Sequence, residues 1–163
     1  MQKIFLFLFL TITLSCTNSQ VKPENLTDFI AKVIGVKDGD TIEVLYKKKP
    51  IVIRLAHIDC PEKKQPFGKK AKQFVSDAVF GKNVRIVSKG KKDRWKRLIA
   101  VIEKENGENL NKILVMNGLA MHYKKYSKDI SYDIIEKEAK KNKIGMWSQK
   151  NMIEPWNYRK KKK

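Results

Sequence analysis

The chain has 163 residues, which is enough for one domain with a hydrophobic core of its own and too few for two. Its 36 lysines and arginines against 17 aspartates and glutamates give a formal net charge of +19, spread along the whole chain. Solubility alone requires far less, so the charge indicates a polyanionic partner, which can be nucleic acid, anionic lipid or acidic polysaccharide.

The N-terminus is predicted to be a separate targeting unit. Lys3 precedes an apolar run over residues 4–14, which is too short to span a bilayer as a helix and has the length of a signal-peptide core. The run ends in Ser15-Cys16, which resembles the cleavage and lipidation site of bacterial lipoproteins. We therefore predict a signal peptide over residues 1–15 and an exported lipoprotein anchored to the membrane through Cys16. A secreted or periplasmic product is the alternative.

After a polar linker over residues 16–28, the chain is predicted to form a meander of three strands, over residues 29–37, 41–46 and 51–56. Asp38-Gly39 is a strong tight-turn signal between the first two. In the third strand, alternation places Arg54 on the face opposite the apolar residues Ile51, Ile53 and Leu55.

The remaining pattern predicts a helix over residues 68–80, strands over 84–88 and 97–103, and helices over 110–117 and 131–142, the last capped by Ser131. This order predicts an α+β, mainly β domain over residues 29–158, built as a closed five-stranded barrel of the OB type with three flanking helices. Residues 159–163 are predicted to be a disordered basic tail.

Two carboxylates are predicted to meet at one end of this meander. Asp40 lies where the second strand begins and Asp59 lies just beyond the third strand. Neighbouring carboxylates repel each other unless a hard, oxygen-seeking cation such as Ca²⁺ lies between them. The alternative is that Asp38 and Asp40 are only turn residues.

Three further side chains near this point could act on a phosphodiester. Arg54 can hold a phosphate through paired hydrogen bonds, Glu62 can serve as a general base, and Arg97 can supply a second cation. Taken singly, each could equally be a surface residue without a role in chemistry.

Three ordered motifs closely resemble the staphylococcal nuclease (thermonuclease) family. They are Asp38-Gly39-Asp40-Thr41, Arg54-Leu55-Ala56-His57-Ile58-Asp59-Cys60-Pro61-Glu62 and Asp93-Arg94-Trp95-Lys96-Arg97. Asn117-Gly118-Leu119-Ala120 and Gly145-Met146-Trp147-Ser148 are similar to the helical half of that family. The resemblance implies an OB-barrel nuclease that uses one Ca²⁺ to hydrolyse DNA and RNA.

Carried over by position, the resemblance implies roles for six residues. Asp40 and Asp59 match the metal-binding carboxylates, and Thr41 matches a ligand that acts through its backbone carbonyl. Arg54, Glu62 and Arg97 match the phosphate-binding arginine, the base and the second arginine. The chain departs from the family at Cys60, where threonine is usual, and at Lys96, where glycine is usual; if position 96 needs a positive φ, the lysine carries strain.

A substrate-binding role is predicted for Tyr123, Lys124 and Tyr126, because rings interleaved with lysines can stack bases and hold phosphates. The two tyrosines, read as one helical turn apart, could equally pack on the core. The pattern predicts a monomer and implies no protein partner.

Two other functions fit part of the pattern. A non-catalytic OB module that binds single-stranded nucleic acid would need the lysines and aromatic rings, and a polybasic surface protein would bind anionic lipid or polysaccharide. Neither has a use for Asp40, Asp59 and Glu62 together, so the combination favours hydrolysis.

The lipoprotein prediction can be tested by the mass of the exported protein. We expect the product extracted from membranes to begin at Cys16 and to carry lipid, because the apolar run ends in Ser15-Cys16. Intact-mass analysis measures both features. A soluble product cleaved at another residue would contradict lipidation and leave export standing.

Overall fold

Five strands of the chain close into a barrel because each of them directs alternate apolar side chains to one interior. The computed structural model describes residues 26–161. Its strands are β1 (Asp28–Asp38), β2 (Thr41–Tyr46), β3 (Lys49–Leu55), β4 (Ile58–Asp59), β5 (Asn83–Lys92), β6 (Leu98–Glu103) and β7 (Met121–His122). Its α-helices are α1 (Gly68–Val79), α2 (Leu110–Met116), α3 (Ile130–Lys141) and α4 (Pro155–Lys161), with a 3₁₀ turn at Gly145–Ser148.

The barrel confirms the predicted OB-type architecture. Its strands follow the order β1–β2–β3–β6–β5, and β5 pairs back with β1. Only β3 and β6 run parallel, and the other neighbouring pairs are antiparallel. Side chains from all five strands fill the interior without contact with solvent, among them Val33, Ile42, Ile53, Ile86 and Ile102. Strand β1 begins at Asp28, one residue before the predicted start.

A second, two-stranded sheet lies beside the barrel and was not predicted. Strands β4 and β7 pair antiparallel, with Ile58 opposite His122 and Asp59 opposite Met121. Two-residue strands are too short to show an alternating pattern, so their pairing is set by tertiary contacts rather than by local sequence. This sheet fixes the backbone of Asp59 just beyond the end of β3.

The helices pack on the barrel largely as predicted. Helix α1 buries Ala71, Val75 and Val79 at four-residue spacing. The predicted cap of α3 was wrong: the side chain of Asp129, not Ser131, accepts a hydrogen bond from the Ser131 N–H and caps the helix. Helix α3 therefore begins one residue earlier than predicted.

Helix α4 corrects two predictions, the number of helices and the disordered tail. The described chain contains four α-helices rather than three, and Arg159–Lys161 form the last turn of α4. Proline fits the first turn of a helix, and the segment has no apolar periodicity that would reveal it from sequence. Its order comes from docking, since Pro155 is buried and the Trp156 ring stacks on Tyr123.

The signal peptide, Cys16 and most of the linker lie outside the described residues, as do residues 162–163. Across residues 26–161, no helix combines the length and the apolar character that crossing a membrane requires.

Candidate active site

Arg54 lies at the centre of a cluster of charges at one end of the barrel. Because Ile53 and Leu55 point into the core, β3 directs Arg54 to the opposite face, where its side chain is only 13% exposed. Its Nη2 lies 2.7 Å from Asp59 Oδ1 and 3.0 Å from Asp40 Oδ2. Its Nη1 donates hydrogen bonds to the carbonyls of Leu55 and Ile58.

The structure brings the two predicted carboxylates together on this guanidinium. Asp40 stands in the turn before β2 and Asp59 ends β4, and both are buried. The Cys60 N–H also donates to Asp40 Oδ2, at 2.8 Å. Asp38 is the true turn residue, because its Oδ1 accepts from the Asp40 N–H.

Gly39 allows the turn between β1 and β2 to lie close to α1 and to Cys60. A β-carbon at this position would lie 2.8 Å from Ala71 Cβ, closer than real contacts allow, and 3.0 Å from Cys60 Cβ, which is tighter than most. The absence of a side chain therefore lets the turn pack against α1 and the Asp59-Cys60 segment, and this packing delivers Asp40 to the cluster.

Two aspartates of the cluster have raised pKa values, mainly because they are buried. Burial raises the pKa of Asp59 to about 6, against the opposing effects of Arg159 and Arg54. Burial and the neighbouring Asp40 raise the pKa of Asp38 to about 6. Burial opposes the charge of Arg54, but Asp40 and Asp59 outweigh it and raise the Arg54 pKa.

These residues fit a hard cation. The available donors are carboxylate oxygens, the ligands that Ca²⁺ prefers, and a cation would relieve the repulsion between neighbouring carboxylates, which adds to the effect of burial on the Asp38 and Asp59 pKa values. In the described part of the chain, no three His, Cys, Asp or Glu side chains converge as a complete metal cage.

Thr41 also borders the cluster, through its side chain. Its hydroxyl donates to Asp40 Oδ1 at 3.2 Å and accepts from Arg97 Nη1 at the same distance. The hydroxyl therefore links the first carboxylate to the second arginine. That its backbone carbonyl binds metal stays a prediction.

Arg97 approaches the cluster from the start of β6. Its guanidinium pairs with Asp93, whose carboxylate also accepts the Arg97 N–H and so fixes the loop. Lys96, just before it, has φ +63°. This is the positive φ at which a lysine is expected to carry backbone strain. A cleft of about 580 Å³ opens beside Arg97, lined among others by Lys37, Lys92, Trp95 and Lys96.

Glu62 and Arg159 complete the arrangement, and the role of Arg159 was not foreseen from sequence. Arg159 Nη1 lies 2.8 Å from Glu62 Oε1, and its Nη2 lies 2.6 Å from Asp59 Oδ2. Burial opposes the charge of Arg159, yet Asp59 and Glu62 raise its pKa. The only signal in the sequence was an arginine at the head of a lysine run, which is typical of a solvated tail.

Two of the three predicted substrate-binding residues, Tyr123 and Lys124, line a separate cavity of about 400 Å³. Tyr123 stacks on Trp156 with ring centroids 5.2 Å apart, and Lys124 pairs with Asp133. Tyr123 and Tyr126 stand in a turn rather than in a helix, and Tyr126 is 71% exposed. Met121, which pairs with Asp59 in the β4–β7 sheet, also lines this cavity.

Comparison with known proteins gives a consistent result. The family model of staphylococcal nuclease homologues matches residues 52–149. The chain is 44% identical over 133 residues to an uncharacterized endonuclease of Haemophilus influenzae, covering 81% of this chain and 74% of that protein. It is 38% identical over 146 residues to a micrococcal nuclease of Shigella flexneri, covering 83% of each. An uncharacterized endonuclease of Escherichia coli O157:H7 is 36% identical over 140 residues, covering 86% of this chain and 91% of that protein.

Proposed function

The chain belongs to the family of staphylococcal nuclease homologues, and on that premise we propose that it is a calcium-dependent nuclease that hydrolyses DNA and RNA with low sequence specificity. Membership of the family makes the protein a nuclease, a hydrolase whose substrate is nucleic acid. The calcium requirement and the use of both nucleic acids are the proposed part.

The observation that carries the proposal is the convergence of Asp40 and Asp59 on Arg54. Buried carboxylates repel a phosphate, so a protein that only bound nucleic acid would be weakened by them. A cation held between the carboxylates would reverse this effect, because the cation and the arginines would then both attract the scissile phosphate. This arrangement therefore supports metal-dependent hydrolysis over simple binding.

Asp40 and Asp59 are the residues that would hold the ion. A bound calcium ion supplies Lewis-acid polarisation of the phosphate and charge stabilisation as the phosphorus is attacked. Glu62, whose side chain is 39% exposed and therefore open to water, would accept the proton of the attacking water.

The two arginines differ in how readily they can reach a phosphate. Arg97 contacts only Asp93 and Thr41 among the polar groups of the described chain, and it borders the open cleft. In Arg54, Nη1 already donates hydrogen bonds to two backbone carbonyls, and Nη2 already pairs with two carboxylates. It must therefore exchange part of its contact with Asp40 or Asp59 for a phosphate oxygen. Both guanidinium groups then stabilise charge that develops in the transition state.

The charge distribution supports the proposed low sequence specificity. The net charge of +19 and the lysines along the cleft beside Arg97 favour contacts with phosphates, which are the same in every sequence. We therefore expect binding to weaken steeply with salt and to depend little on base sequence.

Incubation of the purified protein with DNA or RNA, in calcium or in excess chelator, tests the proposal. We expect cleavage of both polymers in calcium, its loss on chelation and its return when calcium is restored, because Asp40 and Asp59 need a cation between them. The fragments are measured on denaturing gels, with Asp59→Asn as the control for a contaminating nuclease. Full activity in chelator would disprove the metal requirement, and binding without cleavage would favour a non-catalytic module.

The arginine assignments predict specific losses of turnover. We expect Arg54→Ala and Arg97→Ala to lower kcat by on the order of a hundredfold, the usual scale for removing a transition-state charge partner. Arg54→Lys should not restore activity, because one ammonium cannot span the four acceptors that surround this guanidinium.

Arg94→Ala is the matched control in those kinetic measurements. Arg94 lies in the same loop and stacks on Trp95, at 4.0 Å from the ring centre, but contacts neither Thr41 nor Asp93. Circular dichroism establishes that each variant is folded. A folded Arg97→Ala protein with the same kcat as Arg94→Ala would refute the role of Arg97.

A further inference from the structure

Helix α4 and the residue before it are hydrogen-bonded to the loop that follows Asp59, although the two segments are about 90 residues apart in sequence. The Gln65 amide donates to the carbonyl of Ile153, just before the helix. The Tyr158 hydroxyl donates to the Lys64 carbonyl at 3.2 Å. Trp156 of the same helix stacks on Tyr123, in the segment after β7. These contacts hold α4 across the edge of the charged cluster.

This docking places the Arg159 guanidinium between two carboxylates. One nitrogen lies 2.6 Å from Asp59 Oδ2, and the other lies 2.8 Å from Glu62 Oε1 and 3.3 Å from Asp59 Oδ1. A guanidinium presents its N–H groups in a fixed planar fork, so it sets the relative position of the groups it bridges. Arg159 therefore ties Glu62 to Asp59.

Glu62 depends on this contact for its position. In the described part of the chain, Arg159 is the one group that hydrogen-bonds or pairs with the Glu62 carboxylate. The Glu62 backbone is held separately, because its N–H donates to the Gln65 side chain. Without Arg159, the half-exposed Glu62 side chain would be free to rotate and would face the negative charge of Asp59 unscreened.

From these contacts we propose that Arg159 is a positioning residue of the active site, which acts through Glu62, and that helix α4 is therefore part of the catalytic unit. The inference rests on the proposed role of Glu62 as the general base. A general base must stay within hydrogen-bond reach of the water it deprotonates, and a small displacement lowers the rate steeply. Arg159 supplies this restraint from outside the barrel.

Steady-state kinetics on single-stranded DNA at saturating calcium test the proposal. We expect Arg159→Ala to lower kcat about tenfold or more with little change in KM, because the base loses its restraint while the substrate contacts remain. Arg159→Lys should recover part of the loss, since it keeps the charge without the fork. Lys161→Ala removes the same charge from the same helix turn and is the matched control. It should leave both constants unchanged.

A double-mutant cycle identifies the residue through which Arg159 acts. If Arg159 acts through Glu62, adding Arg159→Ala to a Glu62→Gln protein should cause no further loss of kcat. Additive losses in the cycle would overturn the proposal, as would a folded Arg159→Ala protein with wild-type kcat. If Arg159→Ala does not fold, Arg159→Lys replaces it in the cycle, and wild-type kcat in that variant would equally contradict the proposal. Absence of cleavage by the wild-type protein would instead refute the proposed function itself.

Discussion

The buried guanidinium of Arg54 is the constraint on which the site depends. A charge removed from water is tolerated only if nearly all of its hydrogen-bonding capacity is used. Its partners come from the turn before β2, the end of β3 and strand β4, so satisfying one side chain fixes three segments of backbone. Removing one member would leave the others buried without compensation, at a cost of about 3–5 kcal/mol. The geometry of the site is thus inseparable from the stability of this end of the barrel.

The cluster around Arg54 combines carboxylates with a basic surrounding, and this combination suits binding of both a cation and a phosphate. Three aspartates share the space around Arg54, and the pKa values of Asp38 and Asp59 are raised first by burial and further by the neighbouring Asp40. The carboxylates attract cations, whereas the chain as a whole, with a formal net charge of +19, attracts polyanions. Arg159 adds a cation from outside the barrel. A carboxylate centre within a basic surface suits a reaction in which a cation and a phosphate must meet.

Features set by local sequence patterns, such as strands and tight turns, could be predicted from the sequence. Features set by contacts between distant segments could not. Alternation in β2 and β3 and the Asp-Gly turn placed Asp40 and Arg54 correctly, since strand period and turn chemistry are local properties. The β4–β7 sheet and helix α4 are too short to carry a period, so nothing local indicated that Arg159 would return to Asp59. A basic run at the end of a chain is typical of a solvated tail, and its order here comes from contacts with residues such as Tyr123.

Titration of the metal-free protein with calcium in a calorimeter tests the central claim most directly. Asp40 and Asp59 should bind about one ion per chain, so Asp40→Asn and Asp59→Asn should each abolish or greatly weaken the binding. Glu43→Gln is the matched control, because Glu43 is a partly exposed carboxylate on β2 that pairs with Lys37 outside the cluster. Calcium binding should be unchanged in that variant. Equal affinity in the wild-type, Asp40→Asn and Asp59→Asn proteins, or no binding to the wild type, would contradict it.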